Sequence, residues 1–122
     1  MGRVGDRAPQ ALQGARVRLR RGRFDDLVER QLDIFEGDAA ALLAEAREAD
    51  AAWTNADAED SEELYGDYQL VVDAIAKSLH EIRETYVATL DRPTTAEYRA
   101  AFDRAARHRF RRYSALLEES DD

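Results

Sequence analysis

Residues 62–90 read EELYGDYQLVVDAIAKSLHEIRETYVATL, and this stretch decides the fold. Its large apolar residues, Leu64, Tyr68, Val71, Val72, Ile75, Leu79, Ile82, Tyr86 and Leu90, recur at steps of three and four, which places them on one stripe of an α-helix. Alternating steps of that kind form a coiled-coil-like seam. Asp73, Lys77 and Glu81 stack at i, i+4 on the outer face and can pair. Asp57, Glu59, Asp60, Glu62 and Glu63 crowd the helix start, where the macrodipole favours negative charge, and Asp91, Arg92 and Pro93 end the helix.

Upstream, Phe24, Leu27, Val28, Gln31, Phe35, Ala39, Leu42, Ala46, Ala49 and Trp53 fall in one helical phase. They predict a helix of about 30 residues, with Gly37 and Asp38 as its weak point. Because the stripe stays in phase across Gly37, the reading is one bent helix rather than two. Residues 54–58 form a polar connector to the second helix. Downstream, Thr94-Thr95-Ala96-Glu97 has the Thr-x-x-Glu pattern of a capping box, and Tyr98, Phe102, Ala105, Ala106, Phe110, Tyr113 and Leu117 extend a third helix to about Glu118. No segment alternates with period two, and no repeat is visible. The expected fold is therefore all-α, a long antiparallel helical hairpin with a third helix returning along its groove as in a three-helix bundle.

Leu, Ile, Val and Phe make up only 25 of 122 residues, so the core is small and a second copy would help to complete it. Tyr65, Leu70 and Val87 lie off the main stripe of the second helix and are candidates for that contact. Gly66 is locally unfavourable inside a helix and points to close approach of another helix or to a binding surface; with Tyr65, Tyr68, Leu70 and Val87 it completes the candidate interface. A homodimer is the expected partner arrangement.

The charge of −8 is segregated. Residues 1–23 hold seven Arg and one Asp, residues 24–103 hold 21 acids and six bases, residues 104–112 hold five Arg and no acid, and the last ten residues hold four acids. The composition divides the chain into a flexible basic leader (1–22), a helical domain (23–118) and an acidic tail (119–122). No apolar stretch long enough for a secretory signal follows the first arginines, since Gln10, Gln13 and Gly14 interrupt it; no membrane association is expected. Absence of cysteine excludes disulfides, thiolate zinc sites and thiol nucleophiles, and suits a reducing cytoplasm.

Arg104, Arg107, Arg109, Arg111 and Arg112, interleaved with Phe110 and Tyr113, are the candidate anion-binding residues and the only cluster that suggests RNA or DNA. Phe110 and Tyr113 continue the apolar stripe, so the arginines are read first as partners of the acidic surface of the first two helices. A carboxylate metal site was weighed at His80 and Glu84 with Glu63 and Asp67, but position 77, where a Glu-x-x-His pair needs a carboxylate, is Lys. No serine lies in a Gly-x-Ser-x-Gly turn and no glycine-rich phosphate loop exists, so neither a catalytic residue nor a cofactor is assigned.

Residues 23–113, and above all EELYGDYQ at 62–69, resemble small uncharacterised helical proteins of high-GC actinobacteria. The resemblance implies that the part after Gly22 is the folded part, and it transfers no functional residue. The leading expectation is a non-enzymatic helical interaction or structural protein that self-associates through its second helix. A nucleic-acid-associated factor is the alternative, and a carboxylate metal-binding bundle the third reading.

Overall fold

The computed structural model describes residues 22–121, with side chains through Leu117. Apart from Gly22, the basic leader expected over residues 1–22 lies outside the described residues. Among the described residues the chain is all-helical: α1 (Asp25–Asp38), α2 (Ala40–Thr54), α3 (Ala58–Val87), α4 (Arg92–Arg109), a 3-10 turn (Arg111–Tyr113) and α5 (Ser114–Asp121).

Two of the three rods expected from the apolar pattern are broken. The first breaks at Ala39, where φ −102° and ψ 22° leave the helical region. The hydrogen-bond phase nonetheless survives, with Ala39 N–H donating to Phe35 O and Leu43 N–H to Ala39 O, which is why the stripe stays in register. The reason for the break is a change of partner. Val28, Leu32 and Phe35 of α1 are buried and α1 packs on α4, whereas α2 packs along α3 with Leu43 and the small Ala46 buried. Small residues allow a close helix pair and large ones keep helices apart, so one straight rod cannot serve both neighbours.

The third rod is interrupted at Phe110, whose ring wedges edge-on against Phe35 at 5.7 Å and 85°. The 3-10 turn that follows swings Tyr113 into the core near Tyr68 and directs α5 along α3. Nor does the Thr94/Glu97 capping box form. Asp91 is the N-cap and Pro93 sits in the first turn, so Thr94 is already inside α4 and its hydroxyl donates back to Asp91 O at 2.9 Å. Asp57, one of the acids crowding the start of α3, is its N-cap, with Oδ1 accepting from Asp60 N–H at 3.0 Å.

One core runs through the chain. On α3 it is narrower than the stripe: Tyr68, Val72, Ile75 and Leu79 are buried, and Leu64, Val71 and Ile82 sit at its edge. Tyr98 of α4 is fully enclosed. Its ring meets Phe24 at 5.4 Å, Tyr86 at 4.7 Å and Phe102 at 6.0 Å, and its hydroxyl donates to Gln31 Oε1 at 2.8 Å. Burial pushes the Tyr98 phenol up to about 12, the Gln31 hydrogen bond opposing it, so the ring stays neutral at ordinary pH.

Tyr98→Ala should cost about 3–5 kcal/mol of unfolding free energy, the range for truncating a buried aromatic. Tyr98→Phe should cost about 1 kcal/mol, because only the Gln31 hydrogen bond is lost. Urea titrations followed by circular dichroism measure both, with equal slopes expected for the two variants.

Candidate interaction surface

The five residues assigned to an interface from the sequence do not share one face. Tyr68 lies inside the single chain, only 5% exposed, between Trp53, Tyr65 and Tyr113, and it offers a second copy nothing. Its phenol is pushed up to about 12, first by burial and then by Asp50 and the two neighbouring tyrosines. Tyr65 is half-buried and packs edge-on against Trp53 at 4.9 Å, while Trp53 Nε1 is enclosed without a hydrogen-bond partner. Val87 is partly buried against the core. Gly66 and Leu70 remain, one turn apart on α3.

Leu70 is 69% exposed, the more open of two large exposed hydrophobics among the described residues. A Cβ built on Gly66 would meet nothing within 4 Å, so among the described residues no helix makes the close approach that the glycine suggested. Beside Leu70 lies a shallow cleft between α2 and α3, lined by Ala49, Ala52, Leu64 and Val71 with Glu48 and Asp67 at its rim.

The five arginines also part company. Arg109 is the one turned inward to α1: its Nη1 donates to Asp33 at 2.7 Å and Glu36 at 2.9 Å, and its Nη2 to Glu29 at 2.9 Å. Burial opposes its charge, but these three carboxylates outweigh that and raise its pKa above the ordinary value. Arg104 approaches Asp25 at 3.6 Å and Arg112 approaches Asp50 at 3.8 Å, both with exposed side chains; Arg107 and Arg111 are exposed. The guanidinium of Arg109 is thus engaged by the protein's own carboxylates.

His80 and Glu84, the pair weighed as metal ligands, belong to a different arrangement. Its centre is Arg83, 9% exposed, whose Nε donates to Glu84 at 2.9 Å and whose Nη1 donates to Asp103 of α4 at 2.7 Å. Arg83 Nη2 lies 3.0 Å from His80 Nδ1. A guanidinium only donates, so this Nδ1 accepts and its proton is on Nε2. Glu84 also receives Arg99 through both oxygens, at 2.6 and 3.0 Å. The Arg99 hydrogen bonds, followed by those of Arg83, outweigh burial and pull the Glu84 carboxyl down to about 2. A carboxylate so engaged is a poor metal ligand. Among the described residues no three His, Asp or Glu side chains converge as a metal site, and Glu63 and Asp67 are exposed elsewhere. The cavity beside Arg83 is about 40 Å³, room for a water or two and not for a substrate.

Sequence reasoning missed Arg83. The signal was available: position 83 is four beyond Leu79, on the buried side of α3, and a charge there demands a partner such as Asp103. No protein-family model, curated protein or solved structure matches the chain.

A carboxylate with a lowered pKa adds stability that is complete above the ordinary value of 4.5 and lost as the pH falls toward about 2. Glu84→Gln should therefore be less stable than the parent at pH 7, and the gap should close between pH 4.5 and 2. Thermal unfolding of both proteins across that range measures it.

Proposed function

We propose that this chain is a non-enzymatic helical interaction protein of the cytoplasm that self-associates through α3. The observation that carries the reading is Leu70 standing in solvent one turn from the open Gly66. A single exposed leucine is ordinary on a protein surface. A knob beside a gap on the same ridge is self-complementary, because a two-fold axis seats each Leu70 over the other copy's Gly66. The shallow cleft at Leu70 adds Ala49, Ala52, Leu64 and Val71 to the patch, with Glu45, Glu48 and Asp67 among them.

The resolved shifts belong to structural contacts: burial raises the Tyr68 and Tyr98 phenols, and ion pairs hold the charges of Glu84, Arg99 and Arg109. No described helix is long and apolar enough to cross a membrane.

Two copies of a chain with charge −8 repel, and salt screens that repulsion while leaving an apolar contact intact. Sedimentation velocity should show a dimer at micromolar concentration that strengthens as salt rises. Leu70→Lys should make it monomeric with its helix content unchanged, since burying each Leu is worth about 1.5–3 kcal/mol. A monomeric parent chain at low and high salt alike would overturn the reading.

A further inference from the structure

An open groove of about 680 Å³ separates α1 from the C-terminal half of α3, beginning about two turns beyond Leu70 on the same side of α3. Phe35, Ile82 and Tyr86 line it, and Ile34, 57% exposed, stands at its lip. The groove exists because α1 packs on α4, with Tyr98 held between Phe24 and Tyr86, instead of closing onto α3. From Ser78 to Thr89 it follows α3 for about three turns, roughly 16 Å, a length that suits a short helix.

Charge says what kind of helix. The two charged residues lining the groove, Asp38 and Glu81, are both acids. Its walls are helices with six acids against one base in α1 and eight against two in α3. A second copy's α1 or α3 would bring acid against acid. The basic α4 of a second copy has its apolar side, Tyr98, Phe102 and Ala106, buried in its own core.

We propose that the α1/α3 groove seats a basic amphipathic helix of another protein, with apolar residues at i, i+3 or i+4 and i+7 on Ile34 and Ile82 and with Lys or Arg reaching Asp38 and Glu81. This site is independent of the self-association proposed through Leu70.

The probe is a fluorescent Leu/Lys peptide of about 16 residues with helical apolar spacing, compared by anisotropy with a Glu-for-Lys twin and a scrambled Leu/Lys peptide. The full chain should bind the Lys helix at least about tenfold more tightly than either control. Ile34→Ser, and Asp38→Lys together with Glu81→Lys, lie at exposed positions and should each weaken it about tenfold, while Leu70→Lys leaves it unchanged. Equal binding of the scrambled peptide, or indifference to these variants, overturns the proposal. So does tighter peptide binding after removal of residues 1–21, which assigns the groove to this chain's own N-terminal segment. A shift of Ile34→Ser from dimer to monomer overturns it in favour of a second copy.

Discussion

Enclosure of the Tyr98 ring is the constraint from which the rest of the architecture follows. Three helices meet at it: α1 through Phe24 and Gln31, α3 through Tyr86, and α4 itself through Phe102. A ring of that size between α1 and α3 holds them apart, whereas Ala46 and Leu43 let α2 lie along α3. The bend at Ala39 is the geometric consequence, and so is the groove left open on the far side of α1. With few large aliphatics available, the chain builds its core from aromatic contacts, which add directional preference to the area they bury.

Charge then fixes what packing leaves free. Sliding α4 by one turn would part Arg83 from Asp103 and leave the enclosed guanidinium with Glu84 of its own helix as its carboxylate partner. Arg109 does similar work at the C-terminal end of α4, where one cation spans Glu29, Asp33 and Glu36 over nearly two turns of α1. These partners are more exposed than those of Arg83, so this contact is the weaker of the two and the more sensitive to salt.

Periodicity and local charge made the helical class, the α3 core and the acidic start of α3 legible, because each is a local property of a few consecutive turns. The breaks at Ala39 and Phe110 were not, since neither position carries a breaker and both arise from what the helix packs against. Gly37, the residue that looked weakest, sits two positions before the real bend with open space around it. The candidate interface was legible only in part: spacing separates the inner from the outer face of α3, so it picks out Leu70, but it cannot say that Tyr65 and Tyr68 are claimed by Trp53 and Tyr113 from other helices. Arg83 was overlooked because a charged residue within an apolar stripe reads as an interruption until its partner twenty positions away is known.

The pairing of α1 with α4 also has a temporal side. The hydroxyl of Tyr98 reaches back 67 positions to Gln31, and Arg109 reaches 80 to Glu29. On a ribosome, α2 and α3 can associate as soon as both have emerged, but the first helix must wait with Val28, Leu32 and Phe35 uncovered until α4 has been made. Its six carboxylates keep that waiting segment hydrated and repel its neighbours on a polysome, a use for negative charge that ends when the last arginines arrive.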